Sequence, residues 1–216
     1  MEFLQIILNI ILHLDSFLIS AMNIYGNDIF LIIALIIFLE TGVVLTPFLP
    51  GDSLLFTAGA LSHQSSISVI WLTLLFCAAA ILGDATNYWI GRTIGKWLLK
   101  RNLIKQEHYN KAHLFYKKHG AKAVVLARFI PIIRTLVPFI AGLSHMSANV
   151  FTMFNIFGAI VWVILFVGGG YLFGTIPFVK DHFTMIIFLV IIVSFLPLII
   201  HHFIHKQKKT KNNLSL

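Results

Sequence analysis

Cysteine is almost absent. Cys77 is the one thiol in 216 residues, so no intrachain disulfide can staple the chain, and its apolar neighbours make it a packing residue. Charge is scarce as well: 11% of residues are Asp, Glu, Lys or Arg, 58% are hydrophobic and the mean hydropathy is +0.91. A soluble domain carries about a quarter of its residues charged, so this composition excludes one and points to an integral membrane protein. Bases are missing altogether before Arg92. The apolar residues at the N-terminus therefore have no basic region ahead of them, and the first segment is expected to be retained rather than cleaved as a signal peptide.

What charge there is has a pattern. Arg92, Lys96, Lys100, Arg101, Lys105, Lys111, Lys117, Lys118 and Lys122 crowd one stretch, and Lys206, Lys208, Lys209 and Lys211 end the chain. In a soluble protein a net charge of +8 would invite a nucleic-acid reading. In an apolar one, such clustering marks cytoplasmic segments that also touch anionic lipid, with no nucleic-acid partner expected. The C-terminus is thereby placed in the cytoplasm.

Hydrophobic periodicity divides the chain. Residues 1–27 hold an apolar helix over 3–25 with a polar stripe of Gln5, Asn9, His13, Ser16, Ser20 and Asn23; it either spans or lies in the interface. Residues 29–39 are apolar but make only about 16 Å of helix against a hydrocarbon core of about 30 Å. Glu40, Pro47, Pro50 and Gly51 follow, then a second short apolar arm to Leu61. Residues 28–62 thus read as a re-entrant hairpin, which is tolerated at membrane depth only inside protein or beside a wet cavity. A full span is expected over 67–90, closing a first unit at residue 92, and a basic amphipathic connector over 93–119.

The pattern then recurs. Residues 120–146, broken at Pro131 and Pro138, form a second hairpin; 150–173 form a second span, closing a unit at 175; and 176–216 hold a last span, 183–204, and the basic tail. Shifting by 83 residues lays Ala58 and Gly59 on Ala141 and Gly142, and Tyr88 and Gly91 on Tyr171 and Gly174. The expected fold is an all-α polytopic membrane protein, an inverted repeat of re-entrant helical hairpin plus transmembrane helix. In secondary transporters, that architecture puts the substrate site near the midplane.

Four charges stand where that site would be: Glu40 and Asp52 in the first hairpin, Arg128 and Arg134 in the second. Each would cost about 2.5–3.5 kcal/mol at mid-bilayer on insertion scales, which makes an intramembrane charge a functional candidate. Arginine stays protonated and presents a planar fork matched to phosphate, so Arg128 and Arg134 suit an anionic lipid phosphate head group, provided a break at Pro131 lets them converge. Against this, Arg128 has the option of snorkelling to the interface beside Lys122. Glu40, with apolar neighbours, is the candidate proton carrier. Asp52 follows Pro50 and Gly51, the grammar of a helix N-cap, and also qualifies for proton coupling. A carboxylate that holds an arginine when the site is empty and releases it to phosphate would couple protons to lipid.

Other polar residues carry weaker signals. Asp84 is either part of the same pathway or a structural partner of Arg92 or Tyr88, and Asn155 and Trp162 either line the cavity or pack in the core. Ala79, Gly83, Asn87, Gly91 and Gly95 form a ridge of small residues for close helix contact. His201, His202 and His205 sit beside lysines with no acid, so neither a metal nor any other cofactor is expected. His145 is a lone histidine, and the glycine clusters match no phosphate-loop spacing.

The segments ETGVVLTPFLPGDSLLFTAGAL, GDATNYWIGRTIG and ARFIPIIRTLVPFIAGLSHM resemble the DedA family of bacterial membrane proteins, related to the SNARE-associated or VTT domain proteins. The HLD and FGTIP stretches resemble the subgroup nearest the family's namesake. The resemblance covers about residues 28–175 and implies an inner-membrane protein that flips or scrambles undecaprenyl phosphate or a phospholipid, linked to proton-motive force and envelope integrity. It also implies functional roles for Glu40, Asp52, Arg128 and Arg134. Two rivals follow from the same charges. A proton-coupled ion or drug antiporter would use the two acids for a cation, which the arginines disfavour. An integral lipid phosphatase would need a nucleophilic histidine with phosphate-ligand motifs that do not occur, so no enzymatic activity is expected. The lipid's identity and the oligomeric state stay open at this level.

Overall fold

A computed structural model describes residues 20–22, 24–42, 51–101, 106–174 and 176. The expected last span, the basic tail and most of the first segment lie outside the described residues. Those described are helical, with no strand among them. We number the helices α1 (Ile29–Gly42), α2 (Gly51–Leu61), α3 (Val69–Lys100), α4 (Gln106–His119), α5 (Ala123–Ala127), α6 (Pro131–Leu143), α7 (Ala148–Val163) and α8 (Gly169–Phe173). A π turn over Ile164–Gly168 joins α7 to α8.

Two continuous stretches are long and apolar enough to cross a membrane, Val69–Leu99 and Ala148–Phe173. The first starts at Ser68, whose side chain accepts from the Ile70 N–H as an N-cap. It also runs nearly three turns past the expected end at residue 90, to Lys100, because leaving the hydrocarbon core interrupts no backbone hydrogen bond and the basic residues after Arg92 are good helix formers. By contrast α1, α2 and α6 have 14, 11 and 13 residues, about 16 to 21 Å of helix, too short to span alone.

Packing explains why α2 and α6 are so densely buried. Every residue of α2 except Asp52 is buried, and α6 lies along α3, which also carries α1 on another face. The small-residue ridge on α3 makes both approaches possible. A Cβ on Gly83 would overlap Thr41 Oγ1, and one on Gly91 would overlap the Phe139 carbonyl. Asn87 lies between, buried, its Nδ2 donating to the Thr41 carbonyl at 3.0 Å and the Thr135 carbonyl at 2.6 Å.

Each short arm crosses the long helix of the other half in the same manner. Gly142 of α6 meets the Tyr88 carbonyl while Gly91 and Gly95 meet Phe139 and Leu143; Gly59 of α2 meets the Val167 carbonyl while Gly170 and Gly174 meet Phe56 and Ala60. Between the two crossings, the arms are offset by 83 residues (Phe56 to Phe139, Gly59 to Gly142). The long helices are offset by 79 (Tyr88 to Val167, Gly91 to Gly170). The sequence match of Tyr88 and Gly91 to Tyr171 and Gly174 is thus one helical turn away from the pairing that the contacts make.

At Gly59, Gly91, Gly142 and Gly170 the atom met is a backbone carbonyl, so these contacts leave nowhere for a new methyl to go. Gly142→Ala is expected to destabilise by about 1–3 kcal/mol through overpacking. Gly168→Ala, whose Cβ would touch only Ile164 Cγ2 at 4.0 Å, should be tolerated. Thermal unfolding of the two variants in detergent makes the comparison.

Candidate functional site

The second half positions its arginines through a break that the sequence announces. α5 ends at Arg128, Ile130 takes an extended conformation (φ −126°, ψ 102°), and Pro131 opens α6. Proline fits the first helical turn, where its missing N–H would have no partner. Arg134 lies one turn into α6, and both arginines are buried. Arg128, 4% exposed, does not snorkel to an interface, and Gly158 of α7 leaves the room for its Cδ and Nε.

Arg134 gathers Glu40 and Asp52. Its Nη1 donates to Asp52 Oδ1 at 2.8 Å, and its Nη2 donates to Glu40 Oε1. Glu40 is buried near the end of α1, 2% exposed, whereas the Asp52 side chain keeps 14% of its surface open. Asp52 lies within the first turn of α2 rather than ahead of it, and its Oδ1 serves the arginine and an indole instead of a purely capping role. Gly51 is obligatory for this approach, since a Cβ there would overlap Glu40 Oε2.

Arg128 does not join them. Its Nη2 donates to Asp84 Oδ2 and to Asn155 Oδ1, each at 2.6 Å, and Asn155 Nδ2 in turn donates to the Ile81 carbonyl at 3.0 Å. This second buried pair ties α3 to α7 through one guanidinium. The pairing of Asp84 with Arg92 or Tyr88 is not what forms. Eight residues along one helix is about 12 Å, out of reach, and Arg92 turns to its own i−4 neighbour, donating to Tyr88 Oη at 2.5 Å and to the Met146 carbonyl at 3.1 Å.

Trp162 joins the two pairs. It is 1% exposed, its Nε1 donates to Asp52 Oδ1 at 2.9 Å, and the guanidinium carbons of Arg134 and Arg128 lie 4.9 and 5.9 Å from its ring centroid. The arginines therefore converge on one ring, where cation–π attraction offsets part of their desolvation, but in this state they do not converge on one anion. Sequence reasoning left Trp162 between cavity and core. The available signal was its i+7 spacing from Asn155, on one helix face.

Asn87 stiffens the arrangement from behind. The carbonyls it holds belong to Thr41 and Thr135, the residues next to Glu40 and Arg134. Its Oδ1, Ser53 Oγ and Arg128 Nε are buried with no hydrogen-bond partner. Such orphaned atoms cost about 1–3 kcal/mol each, so a native interior keeps few of them.

Comparison with known proteins bears on this arrangement. The VTT domain family model matches residues 49–172. Protein DedA of Escherichia coli strain K12 is 45% identical over 212 residues, covering 96% of this chain and 97% of that one. The chain belongs to the DedA family. Other members include an uncharacterized membrane protein of Mycobacterium tuberculosis strain H37Rv, 41% identical over 186 residues, 84% of this chain and 82% of the relative. Inner membrane protein YqjA of Escherichia coli is 36% identical over 155 residues, 69% of each chain. No solved structure matches. The DedA-family match encloses Asp52, Asp84, Arg128, Arg134, Asn155 and Trp162, while Glu40 lies ahead of the matched segment. This chain is a membrane protein with an all-helical fold, as the family and its two long apolar helices agree.

Proposed function

We propose that this protein is an inner-membrane lipid transporter that moves an anionic lipid phosphate, of the undecaprenyl phosphate or phospholipid class, in exchange with protons. The observation that carries this reading is Arg134, a buried guanidinium whose two terminal nitrogens are both occupied by carboxylates from the other half of the chain. A guanidinium set for two planar oxygens is also set for two phosphate oxygens. Carboxylates are thus the internal occupants that a phosphate replaces.

Charge counting links the exchange to protons. Glu40, Asp52, Asp84, Arg128 and Arg134 comprise three acids and two bases, so one acid is in excess in an interior where uncompensated charge is costly. A further anion arriving at Arg134 enlarges the excess, and proton uptake by a carboxylate beside it relieves it. Glu40 and Asp52 are the proton-coupling acids in this account, Arg134 and Arg128 the phosphate ligands, and Asp84 and Asn155 the polar path between the long helices.

Architecture supports the same reading. α1 and α2, and α5 with α6, are each too short to span and form two re-entrant hairpins, with the 83-residue offset of the arms marking an inverted repeat. The positive-inside rule puts the basic connector and tail in the cytoplasm. Arginines at the centre work against a cation antiporter, and a phosphatase would need a histidine nucleophile, which none of the named site residues supplies, so a carrier is the reading we favour.

Reconstitution tests the proposal. In liposomes of defined phospholipid, with and without a pH gradient, the wild-type protein should move labelled lipid phosphate between leaflets and release no inorganic phosphate. Release of phosphate would replace the transporter by a phosphatase; cation movement without lipid movement would replace it by an antiporter.

A further inference from the structure

The two carboxylates on Arg134 are not equivalent. Glu40 accepts from Arg134 alone among the described side chains and is 2% exposed, whereas Asp52 Oδ1 accepts from Arg134 Nη1 at 2.8 Å and from Trp162 Nε1 at 2.9 Å, on a side chain 14% exposed. Two N–H donors from different helices, α6 and α7, thus aim at one oxygen. We infer that Asp52 Oδ1 holds the place of a phosphate oxygen, and that Trp162 Nε1–H and Arg134 Nη1–H together receive that oxygen once Asp52 swings away. This inference rests on the proposed transport function for its ligand class, a phosphate oxygen, whether on a lipid head group or on the free ion.

Three features decide why Asp52 leaves and Glu40 stays. Asp52 is the carboxylate with an open side, so an incoming head group meets it first. It sits in the first turn of α2, where rotation of a short side chain carries the carboxylate off. Glu40 is enclosed by Gly51 on one side, and the residue after it is tied through its carbonyl to Asn87. Trp162 gains nothing from carrying a donor if its task is packing, since phenylalanine would supply a ring for both guanidinium groups. The indole N–H matters only when something accepts from it. Its rigid two-angle side chain, clasped between Arg128 and Arg134, fixes that donor in space before the ligand arrives, which reduces the ordering cost of binding.

A hydrogen bond to a charged acceptor is worth enough that removing this donor should weaken phosphate binding by about 10-fold or more. The test uses the full chain in vesicles with Trp71, Trp89 and Trp97, each more than half exposed, replaced by phenylalanine, so that Trp162 is the only emitter. Inorganic phosphate is titrated in one arm. Phosphatidylcholine vesicles doped with phosphatidic acid form the second arm, and phosphatidylcholine alone the control. A saturable emission change in the doped vesicles, with a weaker one for the free ion, is expected. Trp162→Phe in the otherwise native chain should raise the lipid concentration needed for half-maximal translocation about 10-fold, while the chain keeps a cooperative thermal unfolding transition, lowered by the lost bond to Asp52 and the smaller ring. Asp52→Asn, which weakens the internal competitor, should tighten phosphate binding, and Glu40→Gln should not. Tightening by Glu40→Gln in place of Asp52→Asn would overturn the assignment, as would unchanged half-saturation in Trp162→Phe. Silence of Trp162 toward both probes, in a protein that still translocates lipid, would overturn this inference and leave the transporter standing. An emission change without any translocation would do the reverse.

Discussion

Arg134→Ala is expected to abolish lipid translocation and to lower the stability of the folded chain by about 3–5 kcal/mol, the usual penalty for leaving buried ionic groups without their partner. Two carboxylates would be stranded, because Glu40 and Asp52 both depend on this guanidinium. The loss of function and the loss of stability have different origins, and they separate. Glu40→Gln and Asp52→Asn added to Arg134→Ala remove the stranded charges and should restore most of the melting temperature in detergent. Translocation in vesicles should stay absent, because no substitute fork for phosphate has been supplied. Recovery of both together would mean that Arg134 is a structural cation and that the lipid is held elsewhere.

The second large effect lies at the other pair. Asp84→Ala leaves Arg128 buried with Asn155 as its remaining side-chain partner and should also cost about 3–5 kcal/mol, whereas Asp84→Leu combined with Arg128→Met should recover stability close to wild type, since a buried ion pair is often replaceable by apolar side chains of similar volume. Unfolding monitored in detergent reads the recovery. Translocation by the double variant is expected to remain well below wild type, because the second guanidinium beside Trp162 is gone. A double variant that is both stable and fully active would reduce the Arg128–Asp84 pair to a tie between α3 and α7.

How these residues come together was only partly written in the sequence. The four charges at Glu40, Asp52, Arg128 and Arg134 were legible because apolar flanks make any charge conspicuous, and the break at Pro131 was legible because proline turns the residue before it away from helix, whereas Pro138, the other expected break, lies inside the continuous α6. The ridge on α3 followed from four-residue spacing alone. Local signals of this kind survive in one dimension. The choice of partner for Asp84 did not, since it depends on α3 and α5 both packing against α7, and a same-helix neighbour was the nearer guess. Trp162 was equally opaque: an indole is at home in a core, and only its contact with Asp52 distinguishes it. The offset read from sequence identity differs from the contact pairing by one turn for a related reason. Identity matching paired Tyr88 with Tyr171, but packing pairs whichever glycine meets the carbonyl of the opposite arm, and that is Gly170 for Gly91. The end of α3 was missed because a membrane boundary changes the solvent around a helix without changing its hydrogen bonds.

At the centre of the proposed mechanism, Glu40 takes up a proton when lipid phosphate enters at Arg134. Glu40→Gln tests it most directly, because glutamine keeps the shape and an oxygen acceptor for Arg134 but cannot exchange a proton. In vesicles carrying an imposed pH gradient, the wild-type protein should accumulate labelled lipid phosphate in one leaflet in proportion to the gradient, and Glu40→Gln should equilibrate the lipid without accumulating it. Full gradient-driven accumulation by Glu40→Gln would contradict the claim.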